Sequence, residues 1–307
     1  MQTVEGSNVL VSVVMNCHNG AEFLREAIDS VYLQSHDNFE IIFWDNCSSD
    51  DSAVIAHSYD ARIRYYKSKN KLLLGEARHE AIKKTRGKYI TFLDCDDVWL
   101  ENKLETQING LENSDYLFSY GGYHVIDANS KIKSSHRARY KSGFIFKNLL
   151  VQYDICMQCV MLDRKILISN SMNFDKSFEY CPDYDLFMRI ASKYPIMVCD
   201  QFLTKYRVTG NSLSSKTKHL TATEVRKSID NALSSPHQYD PSYKSAIKQA
   251  YAKATFYEAL FNLSVDDKKL AVRLLRTICM IRIEYFFLYL ILLFPISGSS
   301  ILRVIRR

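Results

Sequence analysis

Tyr89-Ile90-Thr91-Phe92-Leu93-Asp94-Cys95-Asp96-Asp97-Val98-Trp99 is an apolar run of strand type that stops at three carboxylates within four positions. Like charges that close repel one another, so folding gains nothing by crowding them. A divalent cation held among them supplies a reason. Oxygen ligands at the end of a strand suit Mg²⁺ or Mn²⁺, and such ions commonly bind substrate phosphates as well. The competing reading is a solvated acidic turn in which Asp96 or Asp97 caps the next helix.

Upstream, apolar runs alternate with helical patterns. Residues 9–15 read as a buried strand that breaks at Asn16-Cys17-His18-Asn19-Gly20. Residues 21–34 carry Phe23, Leu24, Ala27, Ile28 and Val31 at the spacing of one helix face. Residues 39–44 form a second strand, which ends at Asp45, and Ser48, Ser49 or Asp50 is placed to cap the helix after it. Residues 63–66 make a short third strand. Gly75 precedes a helix through Arg86, and Gly87 stands where a C-terminal cap glycine belongs. Residues 88–93 are the fourth strand. This alternation predicts an α/β fold with a Rossmann-like, mainly parallel sheet, flanked by helices and joined by right-handed crossovers. Ligands of such sheets bind beyond the carboxyl ends of the strands. Asn16, His18, Asp45, Asp94, Asp96 and Asp97 are therefore expected around one crevice.

After Trp99 the alternation fades. Residues 116–126 and 153–162 read as strands, the first followed by a turn at Asp127-Ala128-Asn129-Ser130. Residues 183–191 look helical and 195–200 extended. From Thr221 the pattern is helical, with breaks around Ser234-Ser235-Pro236 and Asp240-Pro241. A domain over 1–215 and a helical C-terminal extension over 216–307 are expected. Residues 285–302 contain no charge, and Arg303, Arg306 and Arg307 follow. A spanning helix needs roughly 20 predominantly apolar residues, and Pro295, Ser297 and Gly298 interrupt this run. Two readings stay open: a helix lying on an anionic bilayer, or one packed on the protein's own surface.

The 307 residues are 47% hydrophobic and 24% charged, an ordinary globular composition with ample core. The net charge of +6 is too small and dispersed to argue nucleic-acid binding, though it suits an anionic substrate or an acidic membrane surface. The N-terminal stretch lacks the basic-then-apolar pattern of a signal peptide. Eight cysteines without framework-like spacing predict a reducing, cytoplasmic setting. The single C-x-x-C, Cys156 to Cys159, has no second pair and reads as incidental.

In their order along the chain, these segments resemble the catalytic domain of glycosyltransferase family 2, over roughly residues 9–215. The opening strand and its turn appear as Val11-Ser12-Val13-Val14-Met15-Asn16-Cys17-His18-Asn19. The family's Val-Asp-Asp-Gly-Ser-x-Asp stretch is similar to Trp44-Asp45-Asn46-Cys47-Ser48-Ser49-Asp50, and its Gly-x-x-x-Ala-Arg-Asn stretch to Leu74-Gly75-Glu76-Ala77-Arg78-His79. The Arg-Gly-x-Tyr-Ile-x-Phe-Leu-Asp-x-Asp-Asp stretch is matched almost completely by residues 86–97. Later, Pro182-Asp183-Tyr184-Asp185-Leu186 with Arg189 resembles the Glu-Asp-x-Asp-Leu element. Tyr206-Arg207-Val208-Thr209-Gly210-Asn211-Ser212 resembles the Tyr-Arg-x-His-x-x-Ser element.

The resemblance implies a GT-A fold and an inverting transfer of sugar from a nucleotide-sugar donor, a UDP-sugar, to a hydroxyl of a glycan or lipid-linked acceptor. A bound Mn²⁺ or Mg²⁺ would neutralise the diphosphate leaving group. By resemblance, Asp96 with Asp94 or Asp97 takes the metal and ribose roles, with the metal assigned to Asp96 and Asp97. Asp45 would accept the N3–H of the base, Asn16 and His18 would line the nucleotide, and Arg78 would contact the diphosphate or base edge. Asp183 would be the general base. Pro182 stands where the family has Glu, His18 where it has Tyr, and Thr209 where many members have His, a late phosphate contact that Arg207 would otherwise supply. Two other classes compete with this reading. A dinucleotide oxidoreductase would need G-x-G-x-x-G at 16–20, which is absent, and has no use for the carboxylate cluster. A non-catalytic nucleotide-sugar binder would explain the departures but not the retention of Asp94, Asp96, Asp97 and Asp183. A cytoplasmic enzyme of bacterial surface polysaccharide assembly, held at the membrane face by its tail, is the resulting expectation.

Overall fold

The computed structural model describes residues 9–169, 172–209, 217–233 and 240–294. Pro295, Gly298, the three terminal arginines and the 215/216 boundary lie outside the described residues, as do Gly210-Asn211-Ser212 and Ser234-Ser235-Pro236. The first strands are β1 (Val11–Cys17), β2 (Phe39–Asp45), β3 (Ile63–Lys67) and β4 (Tyr89–Phe92). They pair in parallel in the order β3-β2-β1-β4. Helices α1 (Ala21–Tyr32), α2 (Ser52–His57) and α3 (Leu74–Ile82) make the crossovers. This half follows the sequence reading closely, because β1, β2 and β4 are mostly apolar, buried runs and α1 has a periodic apolar face.

The second half is mixed. The chain continues through β5 (Val98–Trp99), α4 (Lys103–Glu112), β6 (Phe118–Ile126), β7 (Ile132–His136), α5 (Phe146–Val151), β8 (Met161–Asp163), α6 (Arg164–Ser169), α7 (Pro182–Ala191) and β9 (Met197–Arg207). The sheet extends β4-β8-β6-β9-β5, with β8 antiparallel to both neighbours, β9 parallel to β6, and β7 a hairpin partner of β6. The strand expected over 153–162 is mostly irregular. It holds a 3₁₀ turn at Met157–Cys159 before the three-residue β8.

Side chains alternate across a strand, so the sheet has two apolar faces. Val11, Val13 and Met15 pack with Ile41, Phe43 and the buried residues of α1 and α4. Val14, Ile42, Ile90 and Phe92 pack with α7 and with α8 (Thr221–Leu233) and the start of α9 (Lys244–Ser264). The extension thus shares the core of the sheet. A separate cluster joins the rest of α9 to α10 (Lys268–Ile278) and α11 (Ile283–Leu293) through Leu263, Leu275, Tyr285 and Leu292.

Two glycines serve close approach. Gly87 is not the left-handed cap expected of it: α3 has ended at Ile82, and Gly143 is the glycine with positive φ among the described residues. A Cβ at Gly87 would lie 2.6 Å from the Ser12 amide nitrogen of β1. One at Gly75 would lie 2.2 Å from the Asp175 carbonyl, which seats the start of α3 against the segment before α7.

Candidate active site

The turns after β1 and β2 are laced together. Gly20 N–H donates to Ser52 Oγ at 3.1 Å, Asn19 N–H to Ser48 Oγ at 3.0 Å, and Ser49 N–H to Asn19 Oδ1 at 2.8 Å. Asp50 accepts from Ala21 N–H with one oxygen and Ser52 N–H with the other, so it serves α1 and α2 together. These turns, the end of β4 and the start of α7 border one cavity of about 1190 Å³.

Asn16, His18, Arg78, Asp94, Asp96 and Asp183 all line it. Arg78, buried on α3, bridges two of the carboxylates. Its guanidinium lies 3.1 Å from Asp94 Oδ1 and 3.7 Å from Asp183 Oδ1, and its Nε has no partner. Gln158 donates to the other oxygen of Asp94 at 2.8 Å. Burial pushes the Asp96 carboxyl up to about 6, with the charge of Asp94 adding to the effect. Asp183 is the second residue of α7. Burial raises its carboxyl above the usual range, and the Arg78 charge opposes the rise. Asn16 Nδ2 and Tyr153 Oη are buried without partners. Unpaired buried donors are costly unless a ligand meets them.

Two expected residues are not brought to the cavity. Asp45 is fully buried, accepting from Ser48 N–H at 2.6 Å and Tyr65 O–H at 2.5 Å, with Lys67 at 3.7 Å. Its neighbour Asn46 lines the cavity instead, and its carbonyl is 3.0 Å from His18 Nδ1. Asp97, expected beside Asp96 on the metal, turns inward. Its Oδ1 accepts from Arg207 N–H at 2.6 Å, its Oδ2 has no partner, and burial lifts its carboxyl well above the usual range. The Arg207 guanidinium is likewise engaged. It donates to the Asp96 carbonyl at 2.7 Å and to Asp127 and Ala128 carbonyls, and pairs with Glu26 at 2.6 Å. Together Asp97 and Arg207 clamp the carboxylate turn to the end of β9.

Sequence reasoning missed Gln158, which lies inside the C-x-x-C dismissed as incidental. It also missed Glu224 of α8, whose carboxylate accepts from the backbone N–H groups of Glu179, Tyr180 and Cys181 at 2.8–2.9 Å and holds the approach to Asp183. The aromatic wall of Tyr153, Tyr180, Tyr184 and Tyr257 was missed as well. Tyr257 comes from α9, far along the chain, and no local signal links it to the site.

Among the described residues no group of three or more His, Cys, Asp or Glu converges as a metal cage. Of the three clustered carboxylates, Asp94 and Asp96 face the cavity. That donor set fits a cation of Mg²⁺ type, which uses one or two carboxylates and completes its shell with water and substrate phosphates.

An α/β protein whose site lies beyond the carboxyl ends of its parallel strands is the class that this fold and cavity define. The chain belongs to glycosyl transferase family 2, whose family model matches residues 12–169. The Escherichia coli UDP-Glc:alpha-D-GlcNAc-diphosphoundecaprenol beta-1,3-glucosyltransferase WfgD is 33% identical over 209 residues, 67% of this chain and 80% of that protein. Against uncharacterised Rickettsia glycosyltransferases 34–37% identical to it, the chain spans 33% of the length of some and 60% of others. Among solved structures, Staphylococcus aureus TarS with UDP-GlcNAc superposes with a TM-score of 0.69 at 13% identity, covering 88% of this chain and 81% of TarS. The Pyrobaculum calidifontis mannosyltransferase PcManGT, with GDP-Man and Mn²⁺, gives 0.58 at 15% identity, covering 94% and 86%. The fold is therefore GT-A.

Proposed function

We propose that this protein is an inverting hexosyltransferase that moves a sugar from a nucleoside-diphosphate donor, a UDP-sugar, to a hydroxyl of a glycan or lipid-linked acceptor in surface polysaccharide assembly. The observation that carries this reading is the buried Arg78 joining Asp94 to Asp183 across one cavity. In this reading Asp94 is the phosphate-side carboxylate and Asp183 the base, both held by the one guanidinium. The Mn²⁺ in PcManGT and the lipid diphosphate in the name of WfgD point the same way.

When bound at Asp96 and Asp94, Mn²⁺ or Mg²⁺ would supply charge neutralisation for the departing diphosphate. This chain's residues do the rest. Asn46 and His18 flank the nucleotide and Asn16 Nδ2 donates to it. Arg78 orients Asp94 and holds Asp183 ionised against the burial that raises its carboxyl. Asp183 accepts the proton of the acceptor hydroxyl as that oxygen bonds to the anomeric carbon. The bond from that carbon to the diphosphate oxygen breaks on the opposite face, which inverts the centre. Tyr153, Tyr184 and Tyr257 stack on sugar rings and exclude water.

Residues 1–215 would form the transferase domain and 216–307 the extension. No helix among the described residues is long and apolar enough to cross a membrane. Helix α11 exposes Ile283, Phe287, Ile291 and Leu293, and we read this face as a peripheral contact with the cytoplasmic side of a bilayer. A thermal-shift screen of nucleotide sugars with and without Mn²⁺ tests the function. Specific binding stabilises by about 2.7 kcal/mol at 100-fold excess over Kd. A melting curve that no nucleotide sugar moves overturns the reading.

A further inference from the structure

The face of α9 that looks into the cavity carries Ala250, Lys253, Tyr257, Leu260 and Ser264, at intervals of three or four residues. Lys253 is the charged member of this stripe. Its ammonium is partly buried and 5.9 Å from the Tyr257 ring centroid. Glu258, the acid nearest in the helix, is already paired with Arg226 at 2.6 Å. The neighbouring charge that acts on Lys253 is another cation, Arg282, whose guanidinium donates to the Val151 carbonyl at 2.9 Å. Burial and then Arg282 both push the Lys253 ammonium below its ordinary range. A desolvated cation beside a second cation is unfavourable unless an anion joins them.

The position of this cation relative to Asp183 narrows the anion. Tyr184 follows Asp183 directly, and its ring meets Tyr153 edge-on at 4.7 Å between centroids. Tyr184 and Tyr257 line the same cavity. Lys253 lies one turn along α9 from Tyr257, about 6 Å away. Asp183, these aromatic rings and Lys253 thus face one cavity.

We propose that Lys253, backed by Arg282, holds the phosphate of a glycosyl phosphate or diphosphate acceptor whose sugar stacks on Tyr184 and Tyr257. The proposal rests on the transferase reading and adds where the acceptor's charge sits. The phosphate can belong to a lipid-linked or a free glycosyl phosphate.

The test is calorimetric titration of the full chain with farnesyl diphosphate and with inorganic pyrophosphate. Nucleoside diphosphate and Mn²⁺ are present to fill the donor site. Farnesyl diphosphate should bind, Lys253→Met should weaken it at least tenfold, and Lys253→Arg should restore it. The ligand-free melting temperature of Lys253→Met should hold or rise, since an unpaired cation is removed. Tighter binding of farnesyl diphosphate than pyrophosphate marks a lipid-linked source, and equal binding marks free phosphate. Equal affinity in wild type and Lys253→Met overturns the proposal, as does binding that vanishes once the donor site is filled. Nucleotide binding is measured first and alone. Its failure counts against the donor reading, while the Lys253 comparison on nucleotide-free protein still decides the acceptor site.

Discussion

Asp96 and Asp97 share a peptide bond and face opposite ways, so their substitutions should part company. Asp96→Asn is expected to abolish the Mn²⁺-dependent part of nucleotide binding. It should leave the metal-free protein as stable or slightly more so, because burial and Asp94 already disfavour the charge. Asp97→Ala should lower stability by roughly 1–3 kcal/mol, by orphaning the Arg207 N–H, while metal-dependent binding persists. Melting with and without EDTA reads both. Asp183→Asn should reduce turnover by roughly 10²–10⁴-fold with donor affinity kept. Loss of donor binding in parallel would move Asp183 into the nucleotide site. At this scale the sequence showed residue type and order well. Asp94, Asp96, Arg78 and Asp183 all reached the cavity. It could not show side-chain direction: Asp97 and Asp45 carry the same carboxylate as Asp96, and only tertiary partners such as Arg207 and Tyr65 decide that they turn inward.

The elements that could be read from sequence were those long enough to show a period, β1, β2, α1 and α7 among them. The two residues of β5 and three of β8 carry no period, and their pairing depends on β9 and β4 far away. Helix α11 makes a prediction of its own. Tyr285, Leu288 and Leu292 bind it to α9 and α10, while Phe287 and Ile291 are 55% and 43% exposed. Phe287→Glu with Ile291→Glu should therefore weaken sedimentation with anionic vesicles several-fold and leave the melting temperature unchanged. Equal sedimentation of wild type and variant would sink the peripheral contact.

The molecule as a whole carries a buried base at its centre. Lys103 of α4 is fully buried, donating to Thr91 Oγ1 at 2.7 Å and Gln107 Oε1 at 2.8 Å with its Nζ 4.2 Å from the Trp99 ring centroid. Burial lowers its pKa to about 7. The unfolded chain keeps an ordinary lysine, so between those values it binds more protons at this site than the fold does, and the Lys103 contribution to stability rises with pH. From about pH 7 to about 9.5 that contribution should amount to roughly 3 kcal/mol, opposed in the same range by the buried thiols of Cys95, Cys156, Cys181 and Cys199, whose raised pKa values cost stability as the unfolded thiols ionise. Lys103→Met should remove that contribution and lower the slope of stability against pH in urea melts, and a slope equal to that of the wild type would refute the assignment. No sequence period marks Lys103 as interior, since a lysine early in a helix reads as solvent-facing.

The two walls of the cavity come from separate stretches of chain. The turns after β1, β2 and β4 make one wall, and α8 and α9 much of the other. Selection can therefore change the cavity-facing residues of one wall without changing those of the other, while the core that both share is kept. If α9 holds the acceptor as proposed, drift on its cavity face would explore new acceptors while the donor chemistry stays intact, and a lineage would diversify its glycans without passing through an inactive ancestor. Exchanging residues 217–264 between two family members should carry acceptor preference with the graft and leave donor preference with the host.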